Sequence, residues 1–184
     1  MWKFLFKAYL KLNGWRYVAN VPKDLKKFVL IAVPHTSNFD YPLAQAAFYL
    51  MGIRVRFLAK KSLFEGRFGK LFYKWGGIPV DRTGNTKLVD QLKIEFDKTD
   101  ELALVLSPEG TRKRVDKWKS GFYYIAKNAN VPIVCGYLDY KNKEAGIGPV
   151  IKDLSDFEKT KDTIRDFYRN ISPKIEANYN TEFL

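Results

Sequence analysis

The chain alternates apolar runs with amphipathic stretches, a pattern typical of folds in which strands and helices follow one another. Short apolar runs predict buried strands at 28–33, 54–59, 78–80, 102–106 and 133–138. Longer segments with apolar residues at helical spacing predict helices at 39–51, 63–75, 86–98, 122–128 and 155–170. We therefore expect one α/β domain over residues 1–184, a layered fold with a mixed or largely parallel sheet flanked by helices.

The first twelve residues have their own amphipathic pattern, in which Lys3, Lys7 and Lys11 recur every four residues. A helix over 1–12 places these lysines in one stripe, and aromatic and aliphatic side chains cover the other faces. The segment is too short to span a bilayer and too interrupted for a signal peptide. It predicts an amphipathic helix lying in a membrane interface, although a helix packed on its own domain has the same periodicity.

The chain has a single histidine, His35, which follows the apolar run 28–33, and Asp40 comes after four further residues. Imidazole is the side chain best suited to take and return a proton near neutral pH. A carboxylate bonded to one ring nitrogen fixes the tautomer and stabilises the imidazolium. The pair therefore predicts a general base, His35, oriented by Asp40. A histidine in a turn after a strand is the alternative interpretation.

Three further blocks follow in order: 76–82, which ends in Asp-Arg; 107–112, which reads Ser-Pro-Glu-Gly-Thr-Arg; and 131–134, Val-Pro-Ile-Val. Together with His35 and Asp40, they resemble the four motifs of the glycerophospholipid acyltransferase family, beginning with His, four residues, Asp. Bacterial members of that family include 1-acyl-glycerol-3-phosphate acyltransferases. Four motifs in this order are specific, whereas each block alone is not.

The resemblance covers residues 28–137, the motif-bearing core of the chain. Ser107 stands where an aromatic residue is usual in the family, and Cys135 where a second proline is common. Neither position is one of the predicted catalytic residues. The departures therefore affect the expected acceptor preference more than the expected chemistry.

The resemblance implies an acyltransferase of phospholipid biosynthesis. It would move a fatty acyl group from an acyl thioester, carried by coenzyme A or by acyl carrier protein, to the hydroxyl of a lysophospholipid such as 1-acyl-glycerol-3-phosphate. His35 and Asp40 would be catalytic. Arginine offers a planar fork to phosphate oxygens. The residues expected to bind the acceptor and its phosphate are Arg82, Glu109, Gly110, Thr111 and Arg112.

Other roles stay open. Thr36 and Asn38 could help to stabilise the oxyanion or simply cap the following helix. Gly110 allows close approach of the backbone or a positive φ. Apolar residues between the first two motifs could form an acyl groove or ordinary core: Leu58, Leu63, Phe64, Phe68, Leu71, Phe72 and Tyr73.

The net charge of +12 and the pI near 9.6 indicate an anionic partner. A nucleic acid is not expected, because no recognised fingerprint is present and the aromatic residues follow core periodicity. We expect a peripheral protein on the cytoplasmic side of an anionic membrane. The single cysteine, Cys135, cannot form an internal disulfide and fits a buried strand. No metal site and no bound cofactor are expected from one histidine and one cysteine.

The sequence is compatible with two alternatives. The acceptor could be another lyso-lipid, such as a lyso-aminoacyl lipid, acylated by the same pair of residues. The chain could also be a non-catalytic basic protein that binds membranes or nucleic acid. The presence of His35, Asp40, Glu109 and Arg112 together favours an enzyme.

Overall fold

The computed structural model describes residues 1–22, 24–80 and 88–180. The strands in this part of the chain are β1 (Arg16–Val18), β2 (Lys27–Val33), β3 (Val55–Lys60), β4 (Gly77–Val80), β5 (Leu102–Leu106), β6 (Ile133–Asp139) and β7 (Glu144–Ile151). The α-helices are α1 (Trp2–Leu12), α2 (Asp40–Met51), α3 (Ser62–Glu65), α4 (Gly69–Lys74), α5 (Leu88–Asp97), α6 (Gly121–Asn128) and α7 (Phe157–Tyr168). A short 3-10 helix covers Glu176–Asn178.

The strands form one sheet in the order β1-β7-β6-β2-β5-β3-β4. Strands β6 and β7 pair antiparallel, and the other neighbouring pairs of the described sheet are parallel. Parallel neighbours need crossover connections, which here contain the helices. The predicted α/β class, with a mixed and largely parallel sheet flanked by helices, is confirmed.

The central strand β2 shows why the sheet is covered on both faces. Successive side chains of a strand point to opposite faces. Val29, Ile31 and Val33 join a core with residues of α5, α6 and α7, whereas Phe28 and Leu30 pack in a second core that contains Phe48 of α2. A strand buried on both faces has a continuous apolar sequence, which is what 28–33 shows.

Sequence patterns did not predict β1 and β7. Strand β1 has three residues, which is too short for a periodic signal. Strand β7 contains Gly146 and Gly148, which are typical of loops in a sequence. Both glycines lie under aromatic rings: a Cβ at Gly146 would come within 2.6 Å of Tyr137, and one at Gly148 within 2.2 Å of Phe167. Close ring packing therefore explains these glycines.

The single helix predicted at 63–75 is wrong, because the structure has two short helices there, α3 and α4. Gly66 is extended and ends α3. At Gly69 the chain folds back onto α3, and a Cβ there would lie 1.9 Å from the Phe64 carbonyl oxygen. The helix predicted at 86–98 is observed as α5 from Leu88, and the start of the prediction lies outside the described residues.

Helix α1 is present as predicted and packs on α2. Leu10 is buried in a cluster with Trp15, Leu43 and Leu50, and Phe6 is partly buried against the same cluster. The opposite side of α1 exposes large apolar side chains: Trp2, Phe4, Leu5 and Leu12. Among the described residues, none of the helices has the length and the apolar composition needed to cross a bilayer.

Candidate active site

The loops that follow β2 and β5 meet beside the sheet. These strands are parallel neighbours, with Ile31 opposite Leu106 near their carboxyl ends. Ligands of open α/β sheets bind at that end of the strands. Oε2 of Glu109, in the loop after β5, accepts a hydrogen bond from the backbone N–H of His35 at 2.8 Å. This contact holds together the loops that carry the first and third motifs.

His35 and Asp40 contact each other as the sequence spacing predicts. Nδ1 of His35 lies 3.2 Å from Oδ2 of Asp40, and the same oxygen accepts the backbone N–H groups of Thr36 and Ser37, each at 2.8 Å. The Asp40 side chain is 5% exposed and that of His35 is 31% exposed. Asp40 is the first residue of α2, where the helix dipole favours a negative charge. The imidazole thus has a fixed, buried carboxylate on one side and an exposed part on the other.

Tyr140 is a site residue that the sequence patterns did not indicate. Its hydroxyl donates to Oδ1 of Asp40 at 2.6 Å, so both carboxylate oxygens are engaged. Burial, and then the bond to Asp40, raise the pKa of Tyr140 above its usual value, so the phenol stays protonated and remains a donor. Its backbone N–H donates to the Ser172 carbonyl at 2.9 Å, and its ring meets the Trp15 ring edge-on. Tyr140, which directly follows β6, is therefore fixed by its backbone and its ring where its hydroxyl bonds Asp40.

Glu109 is buried, with 5% of its surface exposed. Burial raises the pKa of its carboxyl from the usual 4.5 to about 7, against the lowering effect of the bond from the His35 backbone. The hydroxyl of Ser107 donates to the same oxygen at 3.3 Å. The Glu109 carboxyl group, which was predicted to bind the acceptor, thus connects the loop after β5 to the loop that carries His35.

The rest of the third motif faces outward. Gly110 adopts a φ of +66°, as the sequence interpretation allowed, and the Lys119 side chain lies where a Cβ would point. Thr111 is exposed and accepts a hydrogen bond from the Lys113 backbone at 3.3 Å. Arg112 is exposed, and its guanidinium donates to the side-chain oxygen of Asn38. Arg82, the other predicted phosphate ligand, lies outside the described residues.

Thr36 and Asn38 do not cap α2, so this predicted role is wrong. The N-cap residue is Phe39, and it makes no side-chain capping bond. Asp40 bonds the preceding backbone N–H groups instead, and Asn38 turns to Arg112. The Thr36 hydroxyl accepts the backbone N–H of Ile175 at 3.2 Å. The chain after α7 therefore packs on the loop that carries His35.

An apolar cavity of about 260 Å³ lies between α2 and the sheet, beside His35. Its helix wall runs from Asp40 to Met51, a length of roughly 18 Å at the usual rise per residue. The sheet wall comes from β2, β3, β5, β6 and β7. Residues of that wall include Ala32, Val33, Phe57, Val105, Leu106, Gly136, Tyr137, Leu138, Ala145 and Gly146.

The cavity does not involve the apolar residues for which the sequence left open an acyl groove or ordinary core. None of the residues proposed for an acyl groove lines it, and Leu63, Phe68 and Tyr73 point to solvent with much of their surface exposed. Phe64 and Phe72 instead pack on each other at a ring distance of 5.7 Å. The apolar cavity beside His35 is therefore formed by α2 and the sheet.

Comparisons with known proteins agree with this architecture. The family model described as Acyltransferase matches residues 16–138, about two thirds of the chain. The structure is similar to the crystal structure of the 1-acyl-sn-glycerophosphate (LPA) acyltransferase PlsC from Thermotoga maritima. The TM-score is 0.61 and the sequence identity 18%, over 90% of this chain and 74% of that chain. At such identity the likeness concerns the fold. No curated protein matches the chain.

Proposed function

The chain belongs to the acyltransferase family, and from that premise we propose that it transfers a fatty acyl group from an acyl thioester to the hydroxyl of a lysophospholipid. One observation carries the proposal: a His35–Asp40 pair lies at the wall of an apolar cavity, with the arginine of the third motif nearby. A base, a place for an acyl chain and a cation for a phosphate are the three parts this reaction needs.

In the proposed reaction, His35 takes the proton of the acceptor hydroxyl as the oxygen attacks the thioester carbonyl carbon. The tetrahedral intermediate collapses, the carbon–sulfur bond breaks, and the imidazolium returns the proton to the leaving thiolate. The products are an ester and a thiol, and no acyl-enzyme forms. Asp40 keeps its place on Nδ1 of His35 and stabilises the imidazolium. Tyr140, through its bond to Asp40, is a positioning residue.

The cavity under α2 would hold the acyl chain. It is lined almost entirely by apolar groups, and its length along α2 suits an extended chain better than a compact ligand. Because His35, Asp40 and Ser107 also line it, the thioester carbonyl would lie next to the base while the hydrocarbon fills the space between helix and sheet.

The acceptor would bind on the outer side of His35. Arg112 presents an exposed guanidinium there, and we propose that it pairs with the acceptor phosphate, with Arg82 as a second ligand. Glu109, Gly110 and Thr111 would shape the loop that carries Arg112. These features favour 1-acyl-glycerol-3-phosphate, and a lyso-aminoacyl lipid without phosphate is the alternative acceptor. Coenzyme A and acyl carrier protein are both acidic and both remain proposed donors.

Helix α1 would bring the site to an anionic membrane. Lys3, Lys7 and Lys11 are all exposed, and so are the large apolar side chains Trp2 and Phe4. Aromatic and basic side chains on one short helix are typical of interfacial binding. We propose a peripheral position on the cytoplasmic side, where the acceptor is available in the bilayer.

A panel of acceptors tests the proposal. The purified chain and its His35→Ala variant are incubated with acyl-CoA or acyl carrier protein and with lysophospholipids that have or lack a terminal phosphate monoester. The products are identified by mass spectrometry. The expected result is acylation of a lysophospholipid by the wild-type chain and not by the variant. Equal product formation by both proteins would disprove the mechanism, and acylation of other hydroxyl compounds alone would disprove the acceptor class.

A further inference from the structure

The segment from Arg54 to Trp75, which we call the hairpin patch, concentrates the positive charge of the chain. It contains strand β3 and the helices α3 and α4. Its 22 residues include seven basic residues and one acidic residue, a net +6 out of the +12 of the whole chain. The basic residues are Arg54, Arg56, Lys60, Lys61, Arg67, Lys70 and Lys74.

The hairpin patch also exposes large apolar side chains. Phe68, Tyr73 and Trp75 are 64%, 55% and 56% exposed, and Leu63 is exposed as well. Aromatic residues of the same two helices pack on one another, because Phe64 contacts Phe72 and Tyr73. Tyr73 and Trp75 contact the Phe64 and Phe72 rings and still keep more than half of their surface exposed. Single exposed apolar groups are ordinary, but a cluster of them suggests a contact surface.

The hairpin patch is connected to α1 through residues of α2. Tyr49 of α2 meets the Phe6 ring of α1 at 4.9 Å between centroids. Tyr49 and Gln45 also form one wall of a groove whose other wall contains Tyr73 and Trp75. Gln45 lines the apolar cavity of the candidate active site too. The groove thus lies between the hairpin patch and α2, next to the cavity, and its wall residue Tyr49 contacts α1.

We propose that the hairpin patch is a second membrane-contact surface, which binds anionic phospholipid headgroups through its lysines and arginines and places Phe68 and Trp75 in the interface. Together with α1 it would hold the groove against the bilayer, so that a lipid acceptor reaches the site without entering water. The inference deepens the proposed function and rests on it for the lipid acceptor.

The exposed aromatic side chains favour a bilayer over an acidic carrier protein as the occupant. Basic residues alone would attract either partner. Aromatic side chains interleaved with lysine and arginine are the composition that settles at the headgroup level of a membrane. The connection through α2 to α1, which has the same composition, extends one such surface instead of creating a separate docking site.

Partition onto vesicles tests the proposal with the full chain. Three double variants are compared with the wild type on vesicles of phosphatidylglycerol and phosphatidylcholine in equal parts: Lys70→Gln with Lys74→Gln, Phe68→Ala with Trp75→Ala, and a control, Lys127→Gln with Lys159→Gln. The control removes the same charge from exposed positions of α6 and α7, across the sheet from α2.

The lysine pair of the hairpin patch should weaken partition by roughly tenfold or more, since each charge near an anionic surface contributes about fivefold. The control should weaken it less than about twofold, because charges beyond a Debye length are screened. The aromatic pair should weaken partition while leaving its salt dependence nearly unchanged. If both hairpin variants partition like the control, the surface does not bind membrane and the inference is wrong.

A second measurement distinguishes membrane binding from binding of acyl carrier protein. Binding of acyl carrier protein to the same variants is followed in the absence of vesicles. Weaker carrier binding with unchanged vesicle partition would overturn the membrane proposal in favour of carrier docking. Partition does not depend on turnover, so His35→Ala should bind vesicles like the wild type. Loss of the proposed chemistry and loss of the proposed surface are therefore distinguishable.

Discussion

The two sides of His35 are built differently. On the inner side, Asp40 is buried and its two oxygens receive hydrogen bonds from His35, the backbone of the same loop and Tyr140. On the outer side, Arg112 is exposed and contacts the Asn38 side chain. A base must already be in place when the proton moves, whereas a phosphate ligand can remain hydrated until the acceptor arrives. Under the proposed function, the buried inner side would serve catalysis and the exposed outer side would serve recognition of the acceptor.

Removal of the proposed base on the inner side should have the largest effect on turnover. We expect His35→Ala to lower kcat by roughly 10² to 10⁴ with an intact fold, because the base acts mainly in the transition state. Asp40→Asn should lose much of the same activity. Groups that act as a unit are not additive, so the double variant should be little slower than His35→Ala alone. The measurement is steady-state kinetics with circular dichroism, and near-normal turnover by folded His35→Ala would contradict the role.

The inner side could be predicted from the sequence because its residues are either close together in the sequence or come directly after predicted strands. His35 and Asp40 are five residues apart, and Glu109 follows a strand whose parallel neighbour precedes His35. Tyr140 was missed because its position depends on β6 being the other neighbour of β2, which periodicity does not reveal. A residue just past the end of β6 could have been found only after the order of the strands was known.

The sequence did not indicate the apolar cavity under α2, for a related reason. Apolar residues from Leu58 to Tyr73 have the same spacing whether they line a groove, fill a core or face a membrane. The glycines at 66 and 69 that divide α3 from α4 are the local signal that this segment is not one long helix. The space under α2 is a property of helix packing against five strands, and it has no pattern in a single segment.

Glu109 accepts a hydrogen bond from the His35 backbone, and its ionisation should change the stability of the fold. Because the folded state keeps the proton up to a pKa of about 7 and the unfolded state loses it near 4.5, the folded chain binds more protons between these values. The free energy of unfolding should therefore fall as pH rises from 4.5 to 7, by up to about 3 kcal/mol from this group. Denaturation of the wild type and Glu109→Gln at pH 5 and pH 8 measures the difference.

Gln keeps an oxygen for the His35 backbone and the Ser107 hydroxyl but cannot ionise. The variant should thus lack this part of the pH dependence and be relatively more stable at pH 8. Glu109 interacts electrostatically with His35 and Asp40 and with the buried phenols of Tyr168 and Tyr179. An identical pH dependence in both proteins would show that Glu109 is already ionised in the fold near pH 5.

Tyr140→Phe should remove one hydrogen bond to Asp40 on the inner side and leave the contacts of Arg112 on the outer side unchanged. Loss of a hydrogen bond to a buried carboxylate should lower kcat by roughly tenfold. Without the tyrosine donor, the Asp40 carboxylate is a stronger acceptor for the His35 ring and stabilises the imidazolium more. The acidic limb of the kcat/KM profile should therefore move to higher pH. The acceptor KM should stay the same. Tyr123→Phe is the control, since its hydroxyl bonds the Leu154 carbonyl on the other face of the sheet, and an equal change of the pH profile there would refute the positioning role.

The smallest expected effect concerns the outer side and decides the acceptor. Arg112→Lys keeps the charge but loses the planar fork, so the KM of a phosphate-bearing acceptor should rise severalfold while kcat stays close to the wild-type value. The same substitution at Arg114, which bonds the Tyr179 carbonyl, is the matched control. A lyso-lipid without phosphate should show no change in KM with Arg112→Lys. If the KM of the phosphate-bearing acceptor is also unchanged, Arg112 does not bind its phosphate, and the acceptor is recognised elsewhere in the chain.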